Sequence, residues 1–287
     1  MNPFSSRCCQ HNHAQGWPYF TEHLVPATPD NGVATAIYAA CKATVKVGDG
    51  KEITLHEETN YPFEEAIAFT VSTDEKVAFP FYLRIPSWTQ KAEVRVNGKK
   101  VSAAPVAGKY LCINREWANG DRVELTLPMS LSMRTWQVNK NSVSVDYGPL
   151  TLSLKIAEKY VEKDSRETAI GDSKWQKGAD SKKWPTTEIY PDSPWNYSLV
   201  LDKKEPLKNF KVIRKSWPAD NYPFTVASVP LEVKAIGRPV PEWKIDETGL
   251  CGVLPEEDAV KGDKEEITLI PMGAARLRIS AFPNTKE

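Results

Sequence analysis

Along most of the chain, hydrophobic and polar positions alternate in short runs, the pattern of strands that bury one face. Lys51 to Glu58 reads KEITLHEE, with Ile53 and Leu55 on one face. Ala66 to Ser72 (AIAFTVS), Ala92 to Val96 (AEVRV) and Arg122 to Leu127 (RVELTL) alternate in the same way. Val77 to Ile85 (VAFPFYLRI) is a further strand, with Pro80 marking an edge or bulge, and Tyr110 to Ile113 adds another. Turn residues separate the runs: Gly48-Asp49-Gly50, Asn97-Gly98 and Asn119-Gly120-Asp121. Asn97-Gly98 is the strongest hairpin signal. Val33 to Val47 is small and apolar; its alanines permit a helix, and its later alternation favours strand. Short strands at regular spacing with turns between them read as a β-sandwich.

A second set of strands starts near Val143. SVSVDYGPLTLSLKI predicts two strands around Gly148-Pro149. Glu158 to Asp192 is charged and turn-rich, and is expected to be a long excursion with little regular structure. Tyr197 to Leu201, Phe210 to Arg214, Phe224 to Val229 and Leu231 to Ala235 are strand candidates. Glu266 to Ile270 and Ala275 to Phe282 are expected to form a closing hairpin through Pro271-Met272-Gly273. At the other end, Cys8 to Phe20 has no clean period, and Ala14 to Leu24 reads as a loop entering a short helix.

Composition narrows the function classes. The chain has 287 residues, with Lys plus Arg and Asp plus Glu both 37, so the formal net charge is zero. That argues against a nucleic-acid surface and against a polybasic membrane patch. No apolar run approaches the roughly 18 residues of a membrane span. No signal peptide is visible after Met1, and the compartment stays open between cytoplasm and periplasm. The 22 prolines disfavour long helices. Cys41, Cys112 and Cys251 lie far apart in apolar sequence and are expected to be free, buried thiols, with no disulfide framework.

The densest reactive chemistry is Cys8-Cys9-Gln10-His11-Asn12-His13. Thiolates are soft zinc ligands and imidazoles add nitrogen donors, so Cys8, Cys9, His11 and His13 can supply four ligands on paper. Such crowding strains the geometry, and two structural cysteines in a packed loop is the competing reading. Trp17 and Tyr19 are either core or a stacking surface for a sugar ring. His23 has no visible partner. Trp88, Trp117, Trp136, Trp217 and Trp243 are read as packing residues. Glu57-Glu58 and Glu64-Glu65 are read as solvated acids rather than a glycosidase pair.

Cys8-Cys9 followed by Gly16-Trp17-Pro18-Tyr19 resembles glycoside hydrolase family 127, the β-L-arabinofuranosidase family. The resemblance continues through Leu83-Arg84-Ile85-Pro86-Ser87-Trp88, Arg95-Val96-Asn97-Gly98, Tyr147-Gly148-Pro149-Leu150, Trp195-Asn196-Tyr197, and Ile267 to Gly273 with Leu277-Arg278. It implies a mainly β fold: two antiparallel β-sandwich domains following a short remnant of an (α/α)6 barrel. Residues 1–25 would be the remnant, 26–138 the first sandwich completed by 264–287, and 139–263 the second.

The resemblance also implies a retaining glycosidase acting on an L-sugar linkage such as β-L-arabinofuranoside. Cys8 would be the nucleophile, Cys8 and Cys9 zinc ligands, and His11 a substrate contact. The acid/base residue and the remaining zinc ligands would lie in the barrel, outside this chain. The isolated chain is therefore expected to bind zinc weakly and to be inactive. Its partners would be an oligo- or polysaccharide and the missing catalytic barrel. At positions 10 and 11 this chain has Gln10 and His11 where characterised members resemble Pro-Pro, a difference that bears on sugar specificity. The alternative, from another class, is a non-catalytic carbohydrate-binding or interaction module, with an exposed row of aromatics and no role for Cys8-Cys9.

Overall fold

The structure, a computed structural model, describes residues 8–165, 180, 182–247, 249–256 and 262–286, with side chains from residue 14 onward. The chain divides into two compact units, Cys9–Ser130 and a second built from Leu131 onward. Both are almost entirely β, as expected.

The first unit begins with α1 (Cys8–Glu22), longer than the short helix expected from Ala14 onward. Pro18 lies inside it, and every residue of α1 from Ala14 on is exposed. Trp17 and Tyr19 are 61% and 64% exposed, so of their two readings they are not core within this chain. His23 does have a partner: its Nδ1 is 2.7 Å from the Tyr19 carbonyl.

Nine strands follow: β1 (Val33–Thr35), β2 (Cys41–Val47), β3 (Lys51–Thr59), β4 (Ala66–Ser72), β5 (Val77–Arg84), β6 (Glu93–Val96), β7 (Lys99–Lys100), β8 (Tyr110–Trp117) and β9 (Arg122–Thr126). They form a six-stranded sheet, β2-β3-β4-β9-β6-β7, and a three-stranded sheet, β1-β5-β8. Ile53, Leu55, Phe69 and Leu125 of the first sheet share one buried cluster with Phe79, Phe81 and Trp117 of the second. That is a sandwich core built from alternate strand positions. Trp117 is fully buried, and its indole N–H donates to the Phe79 carbonyl at 3.0 Å.

Two local devices explain details of the pattern. Asn97 (φ 50°) and Gly98 (φ 75°) are both left-handed, which joins β6 and β7 through the tight turn their sequence announces. Pro80 sits in β5 opposite Asn114 of β8, one residue before β1 begins to pair at Val33↔Phe81. Its missing N–H therefore costs no ladder bond on the β1 side. Gly32 lies against it; a Cβ there would fall 2.2 Å from the Pro80 carbonyl oxygen.

The second unit carries β10 (Leu131–Trp136), β11 (Ser142–Tyr147), β12 (Leu150–Leu154), β13 (Glu158–Lys163), β14 (Thr186–Pro191), β15 (Tyr197–Leu201), β16 (Lys211–Arg214), β17 (Leu231–Pro239), β18 (Glu265–Pro271) and β19 (Asn284–Lys286). Its main sheet runs β10-β11-β12-β18-β17-β15-β19, with β16 also on β17. Val145, Leu152, Leu199, Val233, Leu269 and Phe282 anchor its core. The terminal segment seals this sheet. Phe282 exchanges two backbone hydrogen bonds with Val143 of β11, at 2.8 and 2.9 Å. Leu154 of β12 donates to the Ile279 carbonyl, and β19 runs parallel to β15.

Several expectations need correction. The strands of 264–287 pair with β12, β17 and β15, inside the second unit, and do not complete the first sandwich. The division falls at Ser130 rather than 138, because Leu131–Trp136 is a strand paired to β11. Ala275 to Phe282 is not a strand: after a 3-10 turn, Met272–Ala274, the chain crosses to β11 and β12. Phe224 to Val229 is turn, closed by the Val229 N–H to the Thr225 carbonyl at 3.0 Å. The excursion from Glu158 to Asp192 contains the β13–β14 hairpin, whose strands are too charged to show a hydrophobic face. Its middle, residues 166–179, lies outside the described residues.

Candidate functional site

The cysteine pair opens α1, Cys8 being its first residue. The side chains of Cys8, Cys9, His11 and His13 lie outside those described. Their backbone places positions 8, 11 and 12 on one face of the helix, and 9 and 13 on the next, because residues three and four apart stack. Among the described residues, no three His, Cys, Asp or Glu side chains come together as a metal site.

The described titratable groups converge inside the first unit. Glu57 follows Ile53 and Leu55 at spacing two on β3, so it points into the core and is 1% exposed. Its carboxyl accepts the Ala39 N–H at 3.0 Å, and its other oxygen faces the Cys41 thiol at 3.9 Å. Burial pushes the Glu57 carboxyl up to about 8, although both hydrogen bonds pull the other way. Burial, and then the neighbouring Glu57, push the Cys41 thiol up to about 11. Tyr38 is buried beside them; burial raises its hydroxyl, which donates to the Arg84 carbonyl at 2.5 Å. The Arg84 guanidinium lies 5.9 Å from the Tyr38 ring centre, and its buried Nε has no hydrogen-bond partner. A thiol held protonated is a poor nucleophile, and a carboxylic acid in a closed core has no route to a substrate. We read this cluster as structural.

Glu57 was expected to be solvated; it is buried, and the alternation Ile53-Leu55-Glu57 was the signal for it. Glu58, next along the strand, points outward and meets Arg122 at 3.3 Å. Glu65 accepts the Met129 N–H, while Glu64 is exposed. Glu57 and Glu58 thus point to opposite faces of the sheet. The outer face of the six-stranded sheet does carry a groove of about 510 Å³, lined by Glu58, Glu64, Glu93, Arg95, Arg122 and Glu124. Arg122 pairs with Glu58 and Glu124, and Arg95 with Glu93, so four glutamates face two arginines and the groove is acidic.

Of the remaining cysteines, Cys41 is half-buried, whereas Cys112 and Cys251 are exposed; all three are free. The buried-thiol expectation therefore fails for the last two. The tryptophans divide: Trp117 and Trp243 are core, while Trp136 is 41% exposed beside Arg134.

The fold of this chain is similar to one portion of larger solved structures. The chain superposes on a GH127 beta-L-arabinofuranosidase from Geobacillus stearothermophilus T6 with a TM-score of 0.65 at 21% identity, covering 99% of this chain and 38% of that one. It matches a second structure, described as a glycoside hydrolase, with a TM-score of 0.66 at 22% identity, over 98% of this chain and 40% of that one. A GH127 beta-arabinofuranosidase gives a TM-score of 0.63 at 22% identity, over 97% of this chain and 38% of that one. The chain thus spans about two fifths of the length of these structures. No curated protein matches it. Residues 32–129 match the family described as beta-L-arabinofuranosidase, GH127 middle domain. The likeness to that family is thus carried by this stretch, about a third of the chain.

Proposed function

We propose that this chain is the C-terminal part of a retaining glycosidase that hydrolyses an L-sugar linkage such as a β-L-arabinofuranoside, with Cys8 as nucleophile. The observation that carries the reading is one of order: the GH127 middle domain, residues 32–129, follows a helix that opens with Cys8-Cys9. Cys8 and Cys9 would hold zinc, a chemically apt donor set of two thiols, and His11 would contact the sugar. Zinc bound there would keep both thiols ionised at neutral pH. Cys8 would attack the anomeric carbon as the glycosidic bond breaks, and a protonated carboxyl would supply the proton to the departing oxygen. Water would then displace the thiolate from the sugar, with net retention.

That carboxyl and the remaining ligands would belong to a catalytic barrel, with residues 8–22 as the end of its last helical segment. The isolated chain would accordingly be inactive and bind zinc weakly. The test measures zinc affinity by competition, and hydrolysis of 4-nitrophenyl β-L-arabinofuranoside, for this chain alone and joined to an upstream helical domain. Activity in the joined protein that disappears in Cys8→Ser supports the reading. Full activity in Cys8→Ser, or substantial turnover by the isolated chain, refutes it.

A further inference from the structure

A groove of about 650 Å³ lies within the second unit, beside the β13–β14 hairpin, and takes no part in the proposed catalytic chemistry. Its volume is in the range of small-molecule sites, roughly 300–1,000 Å³. Ile245, Leu250 and Leu277 contribute an apolar surface over the buried Ile156 and Ile279, and Trp195 is half-buried at it. Trp195 is held in place. Its ring packs edge-on against the buried Trp243, centroids 5.2 Å apart, and the next residue, Asn196, donates to the Val240 and Trp243 carbonyls at 2.9 and 3.1 Å. Such fixing lowers the entropy cost of binding.

The polar groups at the groove are planar and of both signs. Tyr190, 45% exposed, donates its hydroxyl to Glu188 at 2.5 Å. Arg276 and Arg278 both line it from the terminal segment. Arg278 spends only its Nε, on the Ala275 carbonyl at 2.7 Å, and its two terminal nitrogens meet no carboxylate among the described residues.

We propose that this groove binds a saccharide chain. The chemistry selects that class. A simple anion would meet Glu188 as well as the arginines. An apolar peptide segment would cover the Arg278 guanidinium without pairing it, at a cost in desolvation. A sugar ring offers apolar C–H faces to Trp195 and Tyr190, and hydroxyls that both donate to Glu188 and accept from Arg276 and Arg278.

The test uses the whole chain and follows tryptophan fluorescence during titration with a neutral arabino-oligosaccharide and, separately, a galacturonate oligosaccharide of equal length. Saturable change with either supports the site, provided Tyr190→Ala and Arg278→Ala each weaken it about tenfold or more (about 1.4 kcal/mol). Tyr222→Ala, an exposed aromatic of the same unit outside the groove, should leave the affinity unchanged. No saturable change with either sugar overturns the proposal, as does equal affinity in all variants. Self-association of the chain that Arg278→Ala abolishes would also overturn it, by making the groove a contact between copies. A Cys8→Ser/Cys9→Ser variant should bind as well as the parent, so failure of the cysteine mechanism and failure of this site are read separately.

Discussion

The Glu57 carboxyl and the Cys41 thiol face each other across directly paired positions of β2 and β3, 3.9 Å apart, with the carboxyl buried and neutral at physiological pH. Its pKa rises from 4.5 to about 8 on folding. Between those values the native state holds a proton that the unfolded chain has lost. The stabilisation from this site is therefore complete below pH 4.5, and is lost as pH rises toward about 8. Its slope is about 1.4 kcal/mol per pH unit at most. Urea unfolding of the parent and Glu57→Gln from pH 5 to 9 should show the parent losing ground to the variant as pH rises. Parallel curves would contradict a buried, protonated Glu57.

Asp121 gives the opposite sign. Burial pushes its carboxyl up, but the Ala118 N–H at 2.9 Å and the Asn97 amide at 2.7 Å outweigh it, aided by Arg115, and hold it below the usual carboxylate value. Its contribution is present above the unfolded pKa and fades as pH falls through the lower folded one. Asp121→Asn should cost about 1–3 kcal/mol at pH 7, with the difference shrinking toward acid. A deficit independent of pH would show that the charge is not what matters.

Trp117 and Trp136 separate packing from surface stacking. Trp117→Ala leaves a void among Phe79, Phe81 and the Phe79 carbonyl, and should cost about 3–5 kcal/mol. Trp136 is 41% exposed, lies 5.1 Å from the Arg134 guanidinium and donates to Ser144 at 2.8 Å. Its alanine variant should cost about 1 kcal/mol. Equal losses in denaturant midpoints would refute the burial argument.

Gly32 and Gly50 make a matched pair. Alanine at Gly32 collides with the Pro80 backbone and must push β1 from β5. Gly50 opens to solvent, and its φ of 85° costs an alanine only about 1–2 kcal/mol. Thermal melts should place Gly32→Ala well below Gly50→Ala; the reverse order would mean that β1 can yield without loss.

The first sandwich was largely legible because its strands bury one face and their turns carry glycine or asparagine. Lys51 to Glu58, Ala66 to Ser72 and Asn97-Gly98 are where alternation said they would be. The second unit was less legible for physical reasons. The β13–β14 hairpin buries neither face fully, and β11 is buried on both, so neither must alternate. Arg276, Leu277 and Arg278 alternate like a strand, yet the chain there follows no neighbour as a ladder. At the candidate site, Cys8-Cys9 was visible as a cluster, and a family match now flanks it. Glu57 was misjudged because its charge was weighed above its place in the Ile53-Leu55 row. The groove at Trp195 draws on residues from Ile156 to Ile279, a separation that no local pattern encodes.

The sealing of the second unit by residues 279–286 bears on how the protein is made. Until Phe282 and β19 have emerged from the ribosome, β11 lacks its bonds to Phe282 and β15 lacks its parallel partner. During that interval the nascent chain presents unsatisfied strand edges that neighbouring chains can pair with. The yield of correctly folded protein should thus depend on what shields those edges until residues 279–286 are in place, a vulnerability that the folded molecule no longer displays.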